Sequence, residues 1–392
     1  MQLANQLTIF KAFFILGLTA FGGPVAHIAY FRTQFVEKRQ WLSDAEFSQL
    51  LAISQALPGP ASSQLGFAIG LYRGGMLGAV IAFIAFTLPS ALLLVLFALS
   101  ISSASFPYRE AALHGLQLVA LPVVADAVWK MTRQLCPDLN TKLIALLSLI
   151  FLLTLPSSYS QFFVMLIGGI AGIFLLSSTE HKQTFSFNLS YGKTTSVVLL
   201  VVFALLFLAP VLAIDNPLFH VMTIFYQTGA TVFGGGHVVL PLLENRIVDT
   251  NLITSEQFLS GYGAAQAIPG PLFTLSAYLG ALLPGGSGGI FGALLSLCAL
   301  FLPGFLLLLA LLPLWQSLQN NSVIQKALAG INAAMVGLLA AALYQPIWQH
   351  VVLSFADIMI AATGFILLHI YRLSPVVIVV WCLAGSILTS FL

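Results

Sequence analysis

Charge is what this sequence has least of. Only 7% of its 392 residues are Asp, Glu, Lys or Arg, and 59% are apolar, whereas a water-soluble globule needs about 25% charged residues to clothe its surface. The solvent for most of the chain must be lipid. Cysteine is scarce too: Cys136, Cys298 and Cys382 form no CxxC pair and lie in or beside apolar segments. That excludes a disulfide framework and a metal site and leaves them as small buried side chains. No HExxH motif is present, Gly192-Lys193-Thr194 lacks the upstream glycine of a phosphate-binding loop, and no basic aromatic patch exists. Zinc proteolysis, ATP hydrolysis, cofactor chemistry and nucleic-acid partners are therefore not expected. Gly285-Gly286-Ser287-Gly288 loosely fits the GxSG pattern of intramembrane serine proteases, but it sits in a Pro/Gly-rich connection, and no enzyme is read from it.

What is abundant is apolar sequence long enough to cross a hydrocarbon core of about 30 Å. Such segments fall at 7–31, 76–102, 109–134, 141–155, 159–178, 195–214, 217–242, 288–315, 322–345, 348–370 and 374–392. Residues 45–72 and 256–283 are also apolar but are cut near the middle by Pro-Gly-Pro, which removes backbone donors and forbids a continuous helix, so each is expected to form two half-helices. The expected fold is an all-α integral membrane bundle of about 11–13 segments, multi-pass in the bilayer. The N-terminal stretch is read as retained structure rather than a signal peptide, since Lys11 interrupts it and a related segment recurs at 220–236. Residues 179–194, with Glu180, His181, Lys182 and Lys193, form the polar linker between an N-terminal part, 1–178, and a C-terminal part, 195–392. Gly66, Gly70, Gly74 and Gly78 recur every fourth residue and predict a close helix contact, the end of the run reaching into a loop.

The two parts are copies. Thr19-Ala20-Phe21-Gly22-Gly23 returns as Thr231-Val232-Phe233-Gly234-Gly235, and Gln55-Ala56-Leu57-Pro58-Gly59-Pro60 returns as Gln266-Ala267-Ile268-Pro269-Gly270-Pro271, displaced by 212 and 211 residues. Chance does not hold such a register. Broken hydrophobic segments at matching places in two halves are the pattern of secondary transporters, whose sites form where the repeats meet near the midplane. Of the fourteen Lys and Arg residues, eleven precede residue 194. The loop after the first copy carries Arg32, Lys38 and Arg39, while its counterpart sets Arg246 beside Glu244, Asp249 and Glu256, which favours opposite orientations of the repeats. With both Pro-Gly-Pro segments re-entrant, the span count instead gives parallel repeats; the inverted arrangement is preferred.

A broken helix in lipid exposes N–H and C=O groups that something must satisfy. A half-helix N-terminus carries about half a positive charge and free donors, which suits an anion. The half-helices beginning after Gly59-Pro60 and Gly270-Pro271 are therefore candidates for the floor of a site, with Ser62, Ser63 and Thr274 as hydroxyl donors and Gln55 and Gln266 as amide donors. Gly22, Gly23, Gly234 and Gly235 allow either a ligand or another helix to approach closely, and the nearby His27 and His237 could titrate, donate to an anion or simply pack. Arg32 and Arg246 are the cations placed to attract a dianion, or to snorkel at headgroup level. Asp126, four residues before Lys130 and so readable as a local ion pair, and the isolated Asp357 are the candidates for proton coupling.

Phe21-Gly22-Gly23-Pro24-Val25-Ala26-His27, then Trp41-Leu42-Ser43-Asp44-Ala45-Glu46-Phe47, then Gln55 to Pro60, resemble the signature of the chromate ion transporter family, and Phe233 to Pro271 resembles its C-terminal half. The resemblance covers nearly the whole chain and matches the long, two-domain type. It implies a cytoplasmic-membrane protein that expels chromate at the expense of the proton motive force, with halves of opposite topology. The second copy has Gly236 where Pro24 stands and lacks the tryptophan, so the halves are not expected to be equivalent. Sulfate has the same shape and charge as chromate, and a sulfate transporter or a passive anion channel remains open, as does assembly as a homodimer.

Overall fold

A computed structural model describes residues 2–101, 107–155, 157, 160–177, 192–212, 214–248, 250–284, 287–315, 318 and 320–391. The linker expected at 179–194 lies outside the described residues as far as residue 191, as do Gly285 and Gly286 of the GGSG run. In chain order the helices are α1 (Gln2–Thr19), α2 (Gly23–Arg32), α3 (Asp44–Ala56), α4 (Ala61–Ile101), α5 (Arg109–Leu118), α6 (Ala120–Leu135), α7 (Leu139–Thr154), α8 (Ser160–Leu175), α9 (Lys193–Leu208), α10 (Pro217–Gly229), α11 (Val239–Ile247), α12 (Ser255–Ala267), α13 (Leu275–Leu282), α14 (Gly289–Leu311), α15 (Ser322–Ala342), α16 (Phe355–His369) and α17 (Pro375–Thr389). No strand occurs among the described residues. Large apolar side chains cover the outside: Leu147, Phe174, Leu205 and Val211 are 64%, 81%, 66% and 81% exposed. Such a surface is stable against lipid tails and not against water. The chain is a multi-pass membrane protein.

Contacts divide the chain into two compact units, Met1–Ala104 with Phe185–Gly236 and Ala265–Trp315, and Ser105–Thr184 with His237–Ala264 and Gln316–Leu392. Each unit draws helices from both sequence repeats, so the repeats and the compact units are different partitions of one chain.

In the first unit, hydropathy reads residues 7–31 as one span, but the Phe21-Gly22-Gly23 break turns them into a hairpin. The Phe13 ring on α1 lies 5.7 Å from Phe31 on α2 and 4.7 Å from Phe35 just beyond it, so the two helices run antiparallel. A second hairpin follows. Ser43 and Glu46 close a capping box at the start of α3. The Tyr72 hydroxyl donates to Glu46, and the Arg73 guanidinium lies 5.4 Å from the centre of the Trp41 ring. These contacts join the start of α3 to the end of the first limb of α4, which leaves Pro58-Gly59-Pro60 at the tip. Gly74 and Gly75 (φ 64°, ψ −162°) then end that limb and reverse the chain into a long second limb. A methyl group on Gly70 would sit 2.5 Å from the Gly78 carbonyl, which is the close contact that the fourfold glycine spacing predicts. The first limb rises only about 20 Å, too short to cross a bilayer; the second limb has the length to do so.

In the second unit the exchange between repeats is made by small residues and backbone-directed hydrogen bonds. Helix α15, from the C-terminal repeat, packs on α7 and α8 of the N-terminal repeat, with Gly330 against Gly168 and Gly172 and with Gly337 against Ala145 and Ser148. Conversely, α17 packs on α5, where the Ser386 hydroxyl donates to the Ala111 carbonyl at 2.7 Å. Glycine permits this approach because apolar side chains gain nothing by leaving lipid for one another, so tight van der Waals fit must hold the helices together.

Candidate functional site

The two Pro-Gly-Pro turns are anchored by the other repeat. The Gly59 N–H donates to the Val232 carbonyl at 2.8 Å, and the Gly270 N–H donates to the Ala20 carbonyl at 3.0 Å. Val232 immediately precedes the second glycine break and Ala20 immediately precedes the first, so each tip closes on the other copy's break. The reciprocity extends outward. A methyl on Gly59 would meet Gly304 Cα at 3.2 Å, and one on Gly270 would meet Ser90 Oγ at 2.7 Å. Gly304 follows Pro303 and Ser90 follows Pro89, the prolines that occupy matching places in α14 and α4. Both turn glycines have left-handed backbone, φ 120° and 113°, which is why glycine stands there.

Around this crossed pairing the half-helix starts converge. The N-terminus of α2 has no side-chain cap, and its Pro24 ring would lie 3.4 Å from a methyl on Gly236, which would also meet Leu272 and Phe273 at the start of the turn leading into α13. Fully buried His27 on α2 links the remaining parts. Its Nε2 is 3.1 Å from the Ala20 carbonyl, an acceptor only, so Nε2 carries the hydrogen; its Nδ1 is 3.3 Å from the Ser62 hydroxyl in the first turn of α4. The carbonyl of Ala20 thus receives both the imidazole and the Gly270 amide. Gln64 donates from one Nε2 to the carbonyls of Pro58 and Gly304, both at 3.0 Å, tying the first tip to α14 just after Pro303.

Two donors here are buried without a hydrogen-bond partner among the described residues: the Ser63 hydroxyl and the Gln266 side-chain amide. A hydroxyl or amide left so costs about 1–3 kcal/mol, and such groups persist where a ligand uses them. The Thr274 hydroxyl is committed to the Pro271 carbonyl at 2.7 Å, so its contribution to a site is the turn it holds. Gln55 is exposed at the end of α3, Gly22 is exposed, and Gly23, Gly234 and Gly235 are half-buried. Positive backbone charge from uncapped helix starts, one histidine and a few unspent donors can hold an oxyanion by hydrogen bonds alone.

Other residues singled out in the sequence lie elsewhere. Arg32 is at the exposed end of α2, where its Nη2 meets Asp44 at 2.8 Å. In the second unit, Arg246 at the end of α11 stacks over Phe162, 4.9 Å from its centre, and His237 Nδ1 is 2.7 Å from the Tyr262 hydroxyl. Asp126 does pair with Lys130, at 2.6 Å, and also with His369, at 2.8 Å; Asp357 pairs with His114 at 2.9 Å. Sequence reading did not find Gln64, Ser90, Gly304, His114 or His369. Their roles come from partners more than 170 residues away, as in the 240-residue separation of Gln64 and Gly304, and no local periodicity encodes that. Proximity of Gln64 to the tip was the one available signal.

Against known proteins, the family described as Chromate transporter matches this chain twice, over residues 7–173 and 219–387. A chromate transport protein of Pseudomonas aeruginosa is 28% identical over 398 residues, covering 96% of this chain and 90% of its own, and one of Cupriavidus metallidurans is 25% identical over 379 residues with the same coverages. A probable chromate transport protein of Synechococcus elongatus is 30% identical over 340 residues, covering 86% and 83%. No solved structure matches.

Proposed function

Because this chain belongs to the chromate transporter family, we propose that it carries chromate out across the cytoplasmic membrane as a secondary transporter driven by the proton motive force. The observation that carries this reading is the reciprocal pairing of Gly59 with Val232 and of Gly270 with Ala20, which brings the broken segments of both repeats to one place. There the N-termini of α2, of α4 and of the turn before α13 supply unspent N–H groups, with Ser62, Ser63, His27 and Gln266 around them, and a tetrahedral dianion satisfies several at once. Gly22, Gly23, Gly234 and Gly235 let the backbone reach it, while Gly59, Gly270 and Thr274 hold the turns. Gln55 serves the approach and Arg32 raises the local anion concentration from the end of α2; within the second unit His237 and Arg246 are the counterpart anion-binding groups. Asp126 and Asp357 anchor the proton coupling.

Counting crossings with both hairpins as re-entrant supports the inverted arrangement. The second limb of α4, α5 with α6, α7 and α8 return the chain to its starting side, and α9, the first helix of the repeat 195–392, carries it across after the linker 179–194, so the copied helices from α10 onward begin opposite to those of the repeat 1–178. Inverted repeats give one chain two equivalent arrangements, which is the basis of alternating access.

Radiolabelled chromate movement into inverted vesicles tests the reading, with an imposed proton gradient and excess sulfate. Uptake that needs the gradient and resists sulfate is expected. Movement of sulfate alone reassigns the cargo, because hydroxyl and N–H donors read charge and shape that both anions share; conductance indifferent to the gradient would make the protein a channel.

A further inference from the structure

Four ionisable side chains of the second unit form two carboxylate–imidazole pairs along α16. His114 Nε2 on α5 meets Asp357 Oδ1 on α16 at 2.9 Å, and Asp126 Oδ1 on α6 meets His369 Nδ1 on α16 at 2.8 Å. In both pairs the partners are 243 residues apart, so α16 runs parallel to α5 and α6. The donors are exchanged between repeats: the N-terminal repeat gives the histidine of one pair and the aspartate of the other. Twelve residues separate the pairs along α16, about 18 Å of helix, and they lie in its first and last turns.

Each carboxylate is buried, 5% and 6% exposed, whereas each imidazole is partly open, 22% and 27%. Asp357 Oδ2 is already saturated, accepting from the N–H groups of Leu353 and Ser354 and from the Ser354 hydroxyl, and the α16 N-terminus favours its negative charge. Asp126 Oδ2 is held by Lys130, and His369 stands in the last turn of α16. His237 also faces Asp126 and Lys130 closely enough to feel both charges. Other ionisable groups on these helices and those packed on them include Arg109 and Glu110 on α5, Arg133 on α6, Lys326 on α15, Cys382 on α17, and Glu256 and Tyr262 on α12, which packs on α5 through Gln117 and Leu116, with His350 preceding α16.

We propose that these pairs are the proton-binding stations of the transport cycle, one at each end of α16, and that the imidazoles rather than the carboxylates take up and release the proton. This deepens the proton-driven reading above and rests on it. With Nε2–H of His114 donated to Asp357, a proton from water adds at Nδ1; the imidazolium keeps its hydrogen bond, and the pair changes from one negative charge to neutral. At the other end His369 donates from Nδ1 to Asp126 and is loaded at Nε2. No bond to the carboxylate breaks in either step, so loading alters charge at the interface without dismantling it.

His114→Gln and His369→Asn test this, since the glutamine amide takes the place of Nε2 and the asparagine amide that of Nδ1, so each retains a donor for its aspartate but cannot titrate. In proteoliposomes of the full chain, each variant should keep chromate counterflow without a gradient to within about twofold while losing proton-driven chromate accumulation by about tenfold or more. Variants that accumulate chromate like wild type would overturn the proposal, and so would equal loss of counterflow and accumulation in monodisperse protein, which would make the pairs clamps. The wild-type arm reports separately on the parent reading, because chromate movement that ignores the gradient would remove proton coupling itself. Proton uptake by the gradient-free protein, followed with a pH indicator, should fall in the double variant, and an unchanged titration would also count against the pairs.

Discussion

Replacing Gly270 with alanine tests the crossed pairing of the two breaks more sharply than any loss of a polar group. The new methyl would lie 2.7 Å from Ser90 Oγ and 3.0 Å from Ser90 Cβ, at φ 113°. A side chain forced into left-handed backbone costs about 1–3 kcal/mol and overpacking a similar amount, so the single variant should lose about 2–6 kcal/mol. The repeat symmetry supplies the rescue. Gly304 stands where Ser90 stands in the other copy, so Ser90→Gly removes both clashing atoms without a new geometry. The double variant should recover the overpacking part, about 1–3 kcal/mol, and keep the backbone part. Thermal unfolding of the detergent-solubilised protein reads the order wild type, double variant, single variant, and chromate uptake into vesicles should follow it. Gly59→Ala is the mirror control: its methyl meets Gly304 Cα and Gln64 Nε2, each at 3.2 Å, and Gly304 has no side chain whose removal could rescue it. Additive loss in Ser90→Gly with Gly270→Ala, or a neutral Gly270→Ala, would refute the argument that the tips are locked across the repeats.

Ser63→Ala should weaken apparent chromate affinity by about tenfold or more, because it deletes an unspent buried donor to a charged ligand worth about 1.5–3 kcal/mol; concentration dependence of uptake reads this. Arg32→Ala should change affinity by less than about threefold, since its pair with Asp44 is exposed, and its main effect should be a capture rate less sensitive to salt. Gly330→Val should cost about 1–3 kcal/mol or more in thermal unfolding, as its side chain would enter the Gly168 carbonyl and Gly172. Ser287→Ala should leave transport unchanged, and a loss would revive an enzymatic reading; its hydroxyl caps a turn by donating to Pro284 at 3.1 Å.

The chain breaks that build the candidate site were legible because they are local. Pro-Gly-Pro and Phe-Gly-Gly break helices by covalent geometry wherever they occur, and their recurrence at 211 and 212 residues announced that both copies matter. Hydropathy misread residues 7–31 as one span because two short antiparallel helices and one long helix have the same composition. Arg32 and Ser62 looked comparably placed for an anion from spacing alone, yet Arg32 turns to Asp44 at the exposed end of α2 while Ser62 meets His27 at the break. Asp357 looked isolated because its partner is 243 residues away.

Composition by itself determined the solvent, since too few charges exist to face water, and the duplication determined that breaks would come in matched pairs. Tertiary structure decided which break meets which, the tip of each repeat closing on the other's glycine turn, and it decided which charges are spent on each other. Those outcomes depend on contacts between residues far apart in the chain, and helix period, capping and turn chemistry act over only a few residues.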